Sequence, residues 1–410
     1  MSARAGDLRT YGIVTAAYWA DTVTDGAIRI LVLFYFWQLG YSPIEVAFLF
    51  LFYEVFGIAT NLVGGWLAAR FGLRSTLVGG LAIQLGALLM LALAPDPWLV
   101  VPYVMASQAL SGVAKDLTKM SSKTAVKLVV PEGQHDRLFT WVAVLTGSKN
   151  ALKGVGFFVG GALLTLVGFQ PALGVLAVLV GGALVLVLAT VHGGLGAPDA
   201  KARFRHMLSQ NRAVNVLAAA RVLLFASRDV WFVVALPVYL RSVLGWGFWE
   251  VGAFLAVWVI GYGIVQALAP RILRRTGEPH GRTAAWLALV LAAFPAAIAL
   301  ALAVGADPGT AIVIGLIAFG VVFALNSAVH SFLILRYADG DRAAMNVGFY
   351  YMANAGGRLA GTLLSGLLYQ WLGLEACLVA SALLVLGAGV VALGLPRARS
   401  AHSGGVITSR

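Results

Sequence analysis

Twelve ionisable side chains interrupt otherwise apolar stretches of this 410-residue chain: Asp21, Asp25, Arg29, Glu54, Lys115, Asp116, Lys149, Lys153, Arg221, Arg228, Asp229 and Arg358. A charged side chain costs roughly 2.5–3.5 kcal/mol at the centre of a membrane-inserting helix, so the set cannot all face lipid. These groups must pair with one another or line a water-filled cavity. Seven of them are cations and five are acids. A cavity with surplus positive charge is suited to an anion.

The spacing adds detail. Lys149 and Lys153 lie one turn apart on one helix face. If their span enters the membrane near Arg137, they sit about 18 and 24 Å deep at about 1.5 Å per residue. Asp21, Asp25 and Arg29 recur every four residues as one polar stripe, with Gly26 permitting a bend or a close approach. An acid at such depth can hold a coupling proton when no cation balances it, which makes Asp21, Asp25 and Glu54 candidates. An Asp25–Arg29 ion pair is an equal alternative. Arg228 and Asp229 point about 100° apart on a helix and are not expected to face one partner directly.

Lys115, Lys119, Lys123 and Lys127 form an i, i+4 basic stripe. It is either a funnel drawing anions to the inner mouth or a set of ordinary loop cations. Tyr350, one turn before Asn354, is a candidate cavity hydroxyl, and the lone His330 is expected to be structural.

The elements that must carry these groups follow from composition. Hydrophobic residues make up 60% of the chain and charged residues 11%, and the mean hydropathy is +0.89. Soluble domains carry about 25% charge. The pattern requires a bilayer, where each crossing takes about 20 apolar residues. Twelve spans are expected, near 11–38, 43–69, 74–94, 98–119, 138–168, 171–192, 213–240, 248–270, 283–304, 309–335, 343–371 and 374–395. Residues 1–10 are too polar for a signal peptide, so the first apolar segment is expected to be retained as a helix. Its single cysteine, Cys377, excludes a disulfide framework and a thiolate metal cage.

The one sizeable polar linker, 193–212, falls at the midpoint. A shift of 205 residues, half of 410, lays Leu39-Gly40-Tyr41 and Glu45-Val46 on Leu244-Gly245-Trp246 and Glu250-Val251. The same shift lays Gly65, Arg70 and Gly72 on Pro270, Arg275 and Gly277, and Lys149 and Lys153 on Asn354 and Arg358. The expected organisation is therefore an N-terminal six-helix half (1–192), a cytoplasmic linker (193–212) and a C-terminal half (213–410). Lys153 and Arg358 could then approach one another across the pseudo-two-fold axis.

With loops assigned alternately, 21 of the 29 Lys and Arg fall on one side and only Arg241 on the other. This asymmetry places both termini in the cytoplasm and leaves the net charge of +12 without need of a nucleic-acid partner. Aromatic residues near span ends, such as Trp37 and Trp246, read as interfacial anchors. No nucleotide loop, HExxH or serine elbow appears, so no enzyme, cofactor or metal is expected. TGSKNALKG (146–154) is only superficially like a phosphate loop, because no strand precedes it.

Two six-helix halves are the layout of the major facilitator superfamily. GGWLAARFGLRST (64–76) resembles that superfamily's signature loop at Gly65, Arg70, Gly72 and Arg74, with Ala69 where an acid is expected. More specifically, TDGAIRILVLFYFWQLGYSP (24–43), FLFYEVFGIATNLVGGWLAARFGL (50–73), QALSGVAKDLTKMSSK (108–123), WVAVLTGSKNALKGVGFF (141–158), SRDVWFVVALPVYL (227–240) and WVIGYGIVQALAPRI (258–272) resemble the organoarsenical efflux transporters of the superfamily.

That resemblance implies a cargo, 1-arseno-3-phosphoglycerate, made when a glyceraldehyde-3-phosphate dehydrogenase takes arsenate in place of phosphate. Such a cargo carries an oxyanion at each end, for which Lys and Arg are suited and thiols are not. Lys149, Lys153 and Arg358 are expected to hold one oxyanion, and Arg29 with Arg221 or Arg228 the other, with Tyr350 and Asn354 nearby. The expected setting is a bacterial-type inner membrane, a monomer and functional coupling to the dehydrogenase. The alternatives are an organophosphate/phosphate antiporter and a non-transporting membrane scaffold.

Overall fold

A computed structural model describes residues 5–71, 73–129, 135–191, 211–273, 279–337 and 343–396. Among these the chain is helical throughout, in the order α1 (Ala5–Gln38), α2 (Pro43–Leu49), α3 (Leu51–Phe71), α4 (Leu73–Ala92), α5 (Val101–Val129), α6 (His135–Val167), α7 (Phe169–Thr190), α8 (Arg212–Phe232), α9 (Ala235–Ser242), α10 (Phe248–Leu273), α11 (Gly281–Ala303), α12 (Pro308–Tyr337) and α13 (Ala343–Ala392). Helix occupies each of the expected ranges. Nine of the described helical stretches are long and apolar enough to cross a membrane. The helices α1 and α5 are not among them.

Several boundaries differ from expectation for local reasons. The second span is broken after Leu49, where Phe50 ends α2, one turn before Glu54. The seventh is broken between α8 and α9. Pro237 has no N–H to give the carbonyl of Val233, and Ser365 Oγ receives the N–H groups of Val234 and Ala235 at 3.4 and 3.0 Å. The eleventh and twelfth spans run together as α13 and turn at Gly373, whose φ of 79° favours glycine.

The fourth ends ten residues later than expected, at Val129, so Lys123 and Lys127 continue on α5 rather than entering a loop. Their side chains, like those of the signature loop at 64–73, lie outside the described residues.

The 205-residue offset reappears in turn geometry. Gly40 and Gly245 both have positive φ, 87° and 72°, as do Gly168 and Gly373, 82° and 79°. In the first pair of turns an acid then caps the next helix: Glu45 Oε2 accepts from Ser42 N at 2.8 Å, and Glu250 Oε2 from Gly247 N at 2.6 Å. Capping satisfies N–H groups that an isolated helix start leaves open.

The helices meet at backbone distance wherever glycine removes the side chain. On the seam of α1 with α6, a Cβ on Gly26 would stand 2.5 Å from Lys153 O, and one on Gly160 would stand 2.5 Å from Ala27 O. On the seam of α8 with α13, a Cβ on Gly361 would stand 2.7 Å from Ala226 O. Gly154 on α6 meets Ala256 of α10 in the same way. Small residues permit such approach in membranes, where packing rather than hydrophobicity holds helices together. Gly160→Val is accordingly expected to cost about 1–3 kcal/mol through overpacking. A fall in the unfolding midpoint of the detergent-solubilised protein would register it, and an unchanged midpoint would show that the seam can open.

The end of the molecule bearing Gly40 and Gly245 is sealed. Ile44 N donates to Gln370 Oε1 at 3.1 Å, and the rings of Phe34 and Phe248 lie 5.0 Å apart. Gly366 abuts Ala47 and the carbonyl of Pro43.

Candidate transport cavity

A cavity of about 210 Å³ lies among α1, α3, α5, α6, α8, α10, α12 and α13. That is below the roughly 300–1,000 Å³ of drug-sized pockets, so it suits a small ligand. From α1, α5 and α6 come Arg29, Lys115, Lys119, Lys149 and Lys153; from α8 and α13 come Arg221, Arg228 and Arg358. Among the described residues, two carboxylates, Asp25 and Asp116, join these eight cations in its lining. Phe157, Phe232 and Trp258 form an apolar part of the wall, with the last two rings 4.5 Å apart.

Most of the cations are held by acids. Lys153 Nζ donates to Asp25 Oδ2 at 2.7 Å, and the Tyr53 hydroxyl donates to the other oxygen of Asp25. Arg29 Nη2 and Arg358 Nη2 both donate to Glu54 Oε1, at 2.9 and 2.6 Å. Arg228 pairs with Asp229 at 2.6 Å, and Arg358 Nε reaches the second oxygen of Asp229 at 3.4 Å. One continuous chain thus runs Arg29, Glu54, Arg358, Asp229, Arg228, from α1 and α3 to α13 and α8. Charges in this chain support one another because each acid is shared and desolvated.

On α5, Lys119 pairs with Asp116 and also donates to Asn61 Oδ1, while Asn61 Nδ2 donates to Asp116 Oδ2 at 3.0 Å.

Two expectations need correction. Asp25 pairs with Lys153 on α6 and not with Arg29 one turn away, because α1 and α6 close to backbone contact at Gly26 and bring the lysine within reach. Tyr350 is fully buried behind the wall, its ring 5.2 Å from the Arg221 guanidinium, and Tyr351 takes the place at the cavity. Arg228 folds back onto its neighbour Asp229, whose second oxygen accepts from Arg358.

The remaining candidates fall into two groups. Lys149, Asn354, Lys115 and Lys119 line the cavity. The latter two are therefore part of its wall, and Lys115 stacks 3.9 Å over the Tyr53 ring. Asp21 and Glu54 stand behind the wall, each 1% exposed. Asp21 accepts from the Thr118 hydroxyl at 2.6 Å. Lys123 lies outside the described side chains.

Neutral residues missed from sequence also line the cavity: Asn61, Asn150, Tyr262, Gln266 and Ser327. Their only signal is a polar residue recurring at one-turn spacing, as in Tyr262 and Gln266 of GYGIVQAL. Among the described residues no cluster of metal-ligating side chains occurs.

Residues 14–362 match the Major Facilitator Superfamily. The chain belongs to this superfamily. This facilitator is a multi-pass membrane transporter with an all-helical fold. A POT family transporter in complex with 5-aminolevulinic acid superposes on it with a TM-score of 0.77 at 14% identity, over 94% of this chain and 95% of that one. A peptide transporter POT variant in complex with sulfate gives a TM-score of 0.72 at 15% identity, over 94% and 93%. Such identities show a shared fold. A Na(+), Li(+), K(+)/H(+) antiporter of Planococcus maritimus is 32% identical over 111 residues, 27% of this facilitator and 26% of that relative. The match thus spans about a quarter of the relative's length.

Proposed function

We propose that this facilitator is a secondary active exporter of a small organic oxyanion, 1-arseno-3-phosphoglycerate, and that its export confers resistance to arsenate. The observation that carries the proposal is the cavity wall, with eight cations against two carboxylates in a space too small for a drug-sized solute. Cations in that number suit a ligand with an oxyanion at each terminus. The resemblance of six segments to organoarsenical efflux transporters supplies the identity of the cargo.

In this proposal the halves 1–192 and 213–410 rock about the cavity, with 193–212 joining them on the cytoplasmic side. Both termini lie in the cytoplasm, the membrane is a bacterial inner membrane, and the monomer receives cargo made by a glyceraldehyde-3-phosphate dehydrogenase. The sealed end is the outer one, so the cavity awaits cargo from inside. Asp21, Asp25 or Glu54 carries the coupling proton, and each oxyanion displaces a carboxylate from a cation.

Arsenate resistance of cells co-expressing the dehydrogenase tests this. Arg358→Ala, expressed at native level, is expected to lose the resistance conferred by the native protein. Resistance that survives this change would remove Arg358 from the transport path. Resistance that needs no dehydrogenase would remove the cargo.

A further inference from the structure

We infer that Arg221, Tyr262 and Gln266, which meet at the hydroxyl of Ser327, form an oxyanion subsite in the wall made by α8, α10 and α12. The inference rests on the proposal that the cavity carries an oxyanion, and is independent of arsenic. Its starting point is a sorting of the cavity cations. Arg29, Arg228, Arg358, Lys119 and Lys153 each hold a carboxylate. Arg221 has none among the described residues and is 5% exposed. Its partners are neutral: Asn354 Oδ1 at 2.8 Å from Nε, and Ser327 O and Oγ at 3.4 and 3.2 Å from Nη1. A buried guanidinium without an acid calls for an anion.

The second observation is an excess of donors. Arg221 Nη1, the Tyr262 hydroxyl and Gln266 Nε2 converge on the single Oγ of Ser327, at 3.2, 3.2 and 3.3 Å. A hydroxyl oxygen offers two acceptor sites; the Tyr262 and Gln266 contacts are longer than the usual O–H···O and N–H···O distances, and the Arg221 contact is at the upper end of its range. The carbonyl of Ser327 accepts from Ser331 Oγ at 2.8 Å as well as from Arg221, so both its lone pairs are engaged. Asn150 Nδ2 holds Gln266 Oε1 at 3.0 Å, which turns the amide NH2 of Gln266 toward the serine.

This corner is therefore rich in donors and poor in acceptors. The non-ester oxygens of a phosphate-like group supply the missing acceptors and the missing charge together. Ser327 Oγ is the internal stand-in that the ligand oxygen replaces.

The test is 3-phosphoglycerate and, separately, inorganic phosphate titrated calorimetrically into the purified full-length protein in detergent. Tyr262→Phe and Gln266→Leu are each expected to weaken 3-phosphoglycerate binding about tenfold, which corresponds to about 1.4 kcal/mol. Arg221→Gln is expected to weaken it more. Ser327→Ala removes the competing acceptor and is expected to leave binding at least as tight as native.

Native affinity in both Tyr262→Phe and Gln266→Leu would overturn the subsite. So would a tenfold loss in Ser327→Ala, which would make the serine itself a ligand. Unfolding midpoints of the unliganded variants separate lost contacts from lost folding. If binding follows the expected pattern while arsenate resistance is absent, the cargo fails and the subsite stands. If resistance persists and the variants bind as tightly as native, the subsite fails and the cargo stands.

Discussion

Glu54→Gln is expected to lower the unfolding free energy by about 3–5 kcal/mol, the usual cost of removing one partner from a buried ion pair. The cost is large because Glu54 Oε1 receives two arginines, Arg29 and Arg358, and the carboxyl is 1% exposed. After substitution Arg29 retains no acid partner among the described residues, while Arg358 keeps among them the longer contact with Asp229 at 3.4 Å. Two guanidinium groups then face each other across a neutral amide.

Arg358→Ala, by contrast, leaves Glu54 with Arg29 and Asp229 with Arg228. Its structural cost is expected to be that of the charged hydrogen bonds lost, about 1.5–3 kcal/mol. Unfolding curves of the purified variants in detergent check the order. A cost for Arg358→Ala equal to or above that of Glu54→Gln would show that the arginine, and not the acid, is the keystone of the chain. Both variants are expected to abolish transport, for different reasons: the first collapses the lock between α1, α3 and α13, and the second removes a cation that the cargo needs.

The second large effect is expected at Lys153. Lys153→Met strands Asp25, a carboxylate 5% exposed whose other described partner is the Tyr53 hydroxyl. A loss of about 3–5 kcal/mol follows. In Lys153→Met/Asp25→Asn the stranded charge is gone, and most of that stability is expected to return. Replacing both members of a buried pair with neutral groups is often close to neutral.

Transport should not return with it, because the double variant still lacks a cation at the cavity. The paired measurement separates a structural ion pair from a ligand contact. Arsenate resistance in the stable double variant equal to native would assign Lys153 to folding alone. Failure of the second substitution to restore stability would mean that the Lys153 side chain supports the fold through contacts other than its charge.

Much of this was legible in the sequence, and what was not has physical causes. The spans could be read because a bilayer demands long apolar runs. The charges that interrupt those runs stood out because so few are tolerated. The stripe of Asp21, Asp25 and Arg29 placed three groups on one face of α1, but a stripe does not say which helix faces it. Asp25 meets Lys153, 128 residues away, because Gly26 lets α1 and α6 touch, and that approach is set by tertiary packing.

The choice between Tyr350 and Tyr351 turned on a single residue, about 100° of helix rotation. The start of α13 could not be fixed that closely from its sequence. The neutral donors on α10 and α12 were missed for the opposite reason. Tyr262, Gln266 and Ser327 carry no charge, so little beyond a one-turn spacing marks them until Arg221 is seen reaching Ser327.

Everted membrane vesicles give the most direct test of the central claim. Supplied with glyceraldehyde-3-phosphate, nicotinamide cofactor, arsenate and the dehydrogenase, vesicles carrying this protein are expected to accumulate arsenic. Omitting the dehydrogenase, or dissipating the proton gradient, should abolish accumulation. Arsenic uptake that proceeds without the dehydrogenase, or organophosphate uptake driven by inorganic phosphate trapped inside with no effect of arsenate, would contradict export of 1-arseno-3-phosphoglycerate.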